Sequence, residues 1–184
     1  MGDTLIETIV AGGYPAALQR STPRRRSAYY RTYVQSLVER DVREISRISS
    51  LEALPRLLTA IAAQAAQFLN VTDLSAPFSL SRPTIRDYVT VLQHVFLVDI
   101  LPPWHSNRLK RLVKTPKVHI GDTGVACSLL GVDAAALRDV RTLLGHLLET
   151  FVFRESRRQA SWRSGSVPDF VRVVNKVAVK SDGV

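Results

Sequence analysis

Cysteine is nearly absent from this chain: Cys127 stands alone among 184 residues. One thiol excludes an internal disulfide framework and a Cys-based zinc site. It fits a reducing compartment. Long apolar runs are lacking too, and nothing approaches the ~20 consecutive apolar residues of a membrane-spanning helix. The start, Met1-Gly2-Asp3-Thr4, has neither the basic opening nor the apolar stretch of a secretory leader. The expectation is a cytoplasmic protein that stays out of the membrane. Histidines are few and scattered: His94, His105, His119 and His146 form no i, i+4 pair and have no acid at ligand spacing. No metal site is expected from that spacing, and no cofactor. Nothing resembles a nucleophile elbow, so Ser-His-Asp chemistry is not expected either. Cys127 itself sits in the apolar run Val125-Ala126-Cys127 and reads as a small core residue.

Acids are also in short supply. There are 16 Asp and Glu against 25 Lys and Arg, giving a net charge of +9 and an isoelectric point near 10.3. A surplus of this size draws polyanions, either nucleic acid or an acidic membrane surface, without choosing between them. Hydrophobic residues make up 46% of the chain, enough for a buried core rather than a disordered polymer.

The first 23 residues read as a short helix, a break at Gly12-Gly13-Tyr14-Pro15 and a helical turn around Ala16–Arg20. Thr22-Pro23 opens a longer helix, with Pro where a first turn tolerates it. Tyr30, Tyr33, Val34, Leu37, Val38, Val42 and Ile45 recur along it at helical spacing. Arg24, Arg25, Arg26, Arg31, Arg40, Arg43 and Arg47 decorate it, either as a solvated basic face or as a phosphate-contacting one. Residues 51–69 read as a further helix with Leu54, Leu57, Leu58, Ile61 and Ala65 on its core face.

Residues 70–96 are the most informative. Asn70 or Thr72 caps a short helix over Val71–Ala76, followed by a turn at Pro77-Phe78-Ser79-Leu80. Ser81 caps a second helix with Pro83 in its first turn. Ile85, Tyr88, Val89, Leu92 and Phe96 form one apolar stripe, and Arg82, Arg86, Thr90 and Gln93 point away from it. A short helix, a tight turn and an amphipathic helix with a basic N-terminal face have the layout of a helix-turn-helix. Leu97–Leu101 reads as a strand halted by Pro102-Pro103, and Lys117–Ile120 as its return. The connecting loop carries Arg108, Lys110, Arg111 and Lys114, which makes it a wing beside a DNA backbone. Trp104 reads as a packing aromatic at the wing base, or else as a stacking residue. The predicted DNA-contacting set is therefore Arg82, Thr84, Arg86 and Thr90 on the helix, with Arg108, Lys110, Arg111 and Lys114 on the wing. The alternative for the helix residues is a solvated face or a protein-contacting one.

A short helix is expected from Asp122-Thr123-Gly124 through Leu130, another segment from Asp133, and a strong helix from Leu143 to Gln159. The latter should bury Leu144, Leu147, Leu148, Phe151 and Val152. Val167–Val179 has strand propensity.

Several motifs in order carry a family resemblance: Gly12-Gly13-Tyr14-Pro15, Tyr33-Val34, Glu39-Arg40-Asp41-Val42, Ser81-Arg82-Pro83-Thr84, Lys110-Arg111-Leu112-Val113-Lys114, Asp122-Thr123-Gly124 and Leu144-Gly145-His146-Leu147. Together they resemble the C-terminal DUF4143 region of prokaryotic AAA-type ATPases. That resemblance implies a P-loop ATPase before this region, a winged helix within it, and a restriction-endonuclease-like fold at its end. No G-x-x-x-x-G-K-[ST] stretch occurs here, so the ATPase domain is expected to be missing and ATP hydrolysis with it. The nuclease-like pattern implied by the family maps onto Glu149, Asp169 and Lys180, but its second acid is replaced by Ala178, which ligates no metal.

The combined expectation is an α+β, mostly helical, non-enzymatic chain. It has a helical segment at 1–50, a winged helix-turn-helix at 51–121 and an incomplete nuclease-like α/β segment at 122–184. DNA is the expected partner. The alternative is an interaction module that packs on an ATPase domain or on itself.

Overall fold

The computed structural model describes residues 2–42, 51–102 and 115–162. Among them helices dominate and one two-stranded antiparallel sheet accompanies them, so the architecture is α+β and mostly helical. The predicted strand at 167–179 and the loop residues Arg108, Lys110, Arg111 and Lys114 lie outside the described residues, as do Trp104, Asp169, Ala178 and Lys180.

Helix α1 spans Gly2–Ala11 and α2 is a single turn, Pro15–Leu18. Helix α3 spans Pro23–Leu37; the Thr22 side chain accepts from the Arg25 N–H, and Pro23 occupies the first turn. It runs into a π-helical turn over Val38–Val42. Tyr30, Val34, Val38 and Val42 are all buried. A spacing of four keeps them on one face as the helix widens. Helix α4, Ala53–Ala63, buries Leu54, Leu57, Leu58 and Ile61 as the periodicity requires.

The predicted helix over 51–69 ends early, at Ala63. Ala66 turns into the left-handed region at φ 60°. Its N–H donates to the Val118 carbonyl at 2.8 Å, Val118 N–H to Gln67 at 2.9 Å, and Leu69 N–H to Pro116 at 2.8 Å. Residues 66–69 thus lie along the open edge of a strand. Ala-rich sequence favours helix locally, but the strand's outer polar groups need partners, and tertiary pairing prevails.

Helix α5, Val71–Ser75, begins at Asn70, whose side chain accepts from Thr72 and Asp73 N–H. A 3₁₀ turn, Ala76–Phe78, leads to α6, Arg82–His94, capped by Ser81. Strands β1 (Val98–Leu101) and β2 (Lys117–Ile120) pair in the register Val98↔Ile120 and Leu101↔Lys117. Helix α7, Thr123–Leu130, is buried throughout Thr123–Ser128. It packs on α1, α3 and α4, which explains why it is apolar on all sides. Short α8, Ala134–Asp139, precedes α9, Arg141–Trp162. One hydrophobic cluster runs from Ile6 to Leu147.

Two expected core positions are corrected. Phe96 does not extend the α6 stripe: it lies past the helix end, 74% exposed, at φ 59°. Leu97 N–H reaches back to Leu92 and Phe96 N–H to Gln93, both at 3.0 Å, the double bond of a Schellman ending. The end of α7 puts Gly131 in the left-handed conformation, at φ 67°; α6 puts a phenylalanine there. Gly121 fixes that turn, since a Cβ there would sit 2.1 Å from the Phe96 carbonyl oxygen. The left-handed conformation costs a non-glycine residue about 1–2 kcal/mol, and the exposed ring recovers little. Phe96→Gly is therefore expected to stabilise the chain by about 0.5–1 kcal/mol, after the extra unfolded-state entropy of glycine is subtracted. A higher urea midpoint at unchanged m would show it; a lower one would mean that the ring packs.

The α9 stripe is also shifted. Leu147 is buried, but Val152 is 47% exposed, and Thr150 and Phe153 are buried instead.

Candidate nucleic-acid interface

The α6 helix sets the site. Its apolar residues Ile85, Tyr88, Val89 and Leu92 are buried. That fixes the opposite face, on which Arg82, Arg86 and Thr90 follow at four-residue intervals, all exposed. Neither arginine pairs with an acid among the described residues. Thr84 is half-buried, and its hydroxyl lies 2.7 Å from the Ser81 hydroxyl. The Thr90 hydroxyl donates to the Arg86 carbonyl at 2.9 Å. Both threonines thus use their hydroxyls within the helix, and the two guanidinium groups are the donors this face offers outward. The structure brings Arg82, Arg86 and Thr90 together and sets Thr84 into the cap. Arg108, Lys110, Arg111 and Lys114 lie outside the described residues.

The sheet presents a polar face that sequence periodicity did not reveal. Asp99 and His119 are register partners, and Lys117 lies two residues before His119, on the same side. Helix α9 covers all three. Lys117 Nζ lies 3.0 Å from Glu149. His119 Nδ1 lies 3.1 Å from the Thr150 hydroxyl, and its ring stacks on Phe153 with centroids 4.3 Å apart. Asp99 accepts from Arg154 and Arg157. Glu149, the acid that the family pattern suggested for metal binding, is here the partner of Lys117. The His119 Nε2 is buried and has no hydrogen-bond partner among the described residues. Burial first, then the charges of Lys117 and Arg154, push the imidazole down to about 3. The one sequence signal for this cluster was a charged and a polar residue alternating with Val118 and Ile120 in a short strand.

The glycine motifs meet at Asp122. Its Oδ2 accepts from Gly13 N–H at 2.7 Å, and its Oδ1 from Gly124 and Val125 N–H at 2.8 and 3.1 Å. Burial pushes this carboxyl up, and those backbone bonds pull it partly back. Gly12 turns at φ 71°, where a Cβ would lie 2.3 Å from both Asp122 Oδ1 and the Tyr30 hydroxyl. Gly124 leaves room for the Tyr30 ring, which a Cβ would meet at 2.7 Å. Tyr30 in turn donates to the Ala11 carbonyl at 2.8 Å. Gly12-Gly13 and Asp122-Thr123-Gly124 are thus two halves of one lock across α1, α3 and α7. Burial likewise pushes the Cys127 thiol up to about 12, so it is protonated at neutral pH and unsuited to nucleophilic work. Among the described residues no three His, Cys, Asp or Glu side chains gather as a metal site, and no helix is long and apolar enough to cross a membrane.

The described residues form a mostly helical α+β domain with an exposed arginine face on the helix that precedes its sheet. The chain belongs to the family described as Domain of unknown function (DUF8612), whose model matches residues 2–136. This is a different family from the DUF4143 region that the motifs resemble. The chain is similar to the uncharacterized protein Mb2031c of Mycobacterium bovis and the uncharacterized protein Rv2008c of Mycobacterium tuberculosis. Each is 27% identical over 144 residues, 78% of this chain and 33% of the relative. The chain therefore spans about a third of the length of these curated relatives. No solved structure matches.

Proposed function

We propose that residues 51–121 form a winged helix-turn-helix that binds DNA without strong sequence preference, in a DUF4143-type region related to AAA-type ATPases. The observation that carries this reading is the bare arginine pair on α6. Arg82 and Arg86 stand one turn apart at the N-terminal end of the second helix of a helix–turn–helix–strand–strand succession. That is the end which meets base edges and phosphates in such modules. The net charge of +9 supplies the long-range attraction. Arg108, Lys110, Arg111 and Lys114 would add backbone contacts from the wing. The role is non-catalytic.

Fluorescence anisotropy with a random-sequence duplex tests this. Arg82→Ala/Arg86→Ala is expected to weaken binding about tenfold or more and to reduce the salt slope by about 2, one unit per lost phosphate contact. A folded chain that binds no duplex at low salt would sink the reading.

Phe96 favours a second reading, docking onto an ATPase domain or a second copy. Its strained, exposed ring borders a cleft of ≈ 530 Å³ shared with Tyr14, Pro15, Phe151 and Arg157. Aromatics and arginine together are the usual anchors of protein contacts. Self-association that disappears in Phe96→Ser would favour this reading.

A further inference from the structure

A second cleft, of ≈ 320 Å³, lies between α3 and the end of α7 and is lined by Arg24, Arg26, Ser27, Arg31, Ser128, Gly131 and Asp133. Its charge balance is unusual. Pro23–Leu37 contains no acid, and among the described residues no acid pairs with Arg24, Arg25, Arg26 or Arg31. Three successive arginines fill the first turn of α3, where the helix dipole already presents positive charge. The Asp133 Oδ1 is occupied in capping α8, accepting from Ala136 N–H at 2.8 Å. Lining arginines against lining acids thus leave a surplus of positive charge in a concave site.

The hydroxyl groups do not relieve it. Ser128 donates to the Ser27 carbonyl at 2.7 Å, and the two serine hydroxyls lie 3.0 Å apart. Ser27 also accepts from Arg31 Nη1 at 2.9 Å, which holds that guanidinium against the helix. The Arg26 Nε is closed off from solvent and finds no acceptor among the described residues. A buried donor of a charged group left without an acceptor carries a desolvation cost, which adds to the cost of the positive charge crowded on α3. At Gly131 nothing stands within 4 Å of where a Cβ would be, so the far wall is open.

We propose that this cleft binds a phosphoryl group, held by the guanidinium groups of Arg24 and Arg26 with Arg31 behind them. A phosphate dianion matches the planar fork of arginine and offsets the charge crowded on α3. The group has two sources, a small phosphorylated molecule such as a nucleotide or the backbone of a nucleic acid. The inference does not depend on the α6 face.

The test compares the full chain with Arg24→Gln/Arg26→Gln. Inorganic pyrophosphate is followed by ³¹P line broadening and by the shift in thermal midpoint, and a random duplex by anisotropy. Pyrophosphate is expected to raise the midpoint of the parent chain and to bind the variant about tenfold or more weakly, as loss of charge-assisted hydrogen bonds implies. Without ligand the variant should be as stable as the parent or more so, because like charges have been removed. If the variant also weakens duplex binding, the group comes from a nucleic-acid backbone; if only pyrophosphate binding falls, it comes from a small molecule. Pyrophosphate binding in a chain that ignores duplex keeps this site and removes the DNA reading. If pyrophosphate binds parent and variant equally, or binds neither, the proposal is overturned.

Discussion

Asp122→Ala is expected to cost roughly 3–5 kcal/mol of folding free energy, from the loss of a helix cap and of a charge-assisted hydrogen bond that ties two distant segments. The carboxylate holds Gly13, Gly124 and Val125 N–H at once. Alanine leaves these three backbone donors without that acceptor, the Gly124 and Val125 groups in a half-buried place and the Gly13 group at the surface. Asp122→Asn separates the parts of the effect. Its carbonyl oxygen keeps the cap to Gly124 and Val125, while its NH₂ group opposes the Gly13 N–H. It is expected to cost about 1–2 kcal/mol, the effect of losing one charge-assisted hydrogen bond and opposing two donors. Urea unfolding followed by circular dichroism checks both. A loss under about 1 kcal/mol in the alanine variant would mean that the lock contributes little.

The second large effect is acid destabilisation through His119. The imidazole is fully buried and neutral, and its native pKa is near 3 against about 6.5 in an unfolded chain. The unfolded state therefore takes up the proton first. This stability is fully present above pH 6.5 and is lost as pH falls toward 3. Between pH 7 and pH 5 the loss amounts to about 2 kcal/mol. Asp122, whose carboxyl burial holds above its ordinary range, has the opposite slope, so the parent curve alone mixes the two. His119→Phe keeps the ring stacked on Phe153 and removes the titrating group. The stability of the parent relative to the variant should fall by about 2 kcal/mol between pH 7 and 5. Parallel curves for the two proteins would show that His119 is not the group responsible.

The two effects come from residues with very different visibility in the sequence. Asp122 was legible as a helix start, since Asp before Thr-Gly is an N-cap pattern. Its second oxygen, which reaches Gly13 across 109 positions, was not, because no local rule connects those residues. His119 looked like one of four scattered histidines. Its surroundings are assembled from β2 and α9 only when the helix lies over the sheet.

The candidate DNA surface divides in the same way. The 3.6-residue period of Ile85, Tyr88, Val89 and Leu92 determined by itself which face of α6 is buried, and so that Arg82 and Arg86 face outward. The helical α+β class, the caps at Thr22, Ser81, Asp122 and Asp133 and both described strands also follow from periodicity and side-chain chemistry acting within a few residues, while the choice of Asn70 over Thr72 as a cap came from the structure. Tertiary structure alone decided where that logic gives way. Residues 66–69 leave the helix to satisfy the edge of β2. Phe96 leaves the stripe because the backbone turns left-handed against Gly121. Helix α9 rotates to place Thr150 and Phe153 on His119, and arginines from one helix meet the end of another to form the α3–α7 cleft. Local propensities amount to tenths of a kcal/mol per residue. A buried unpaired polar group or a backbone clash costs several times more, so wherever the two conflict the contacts made across the fold prevail.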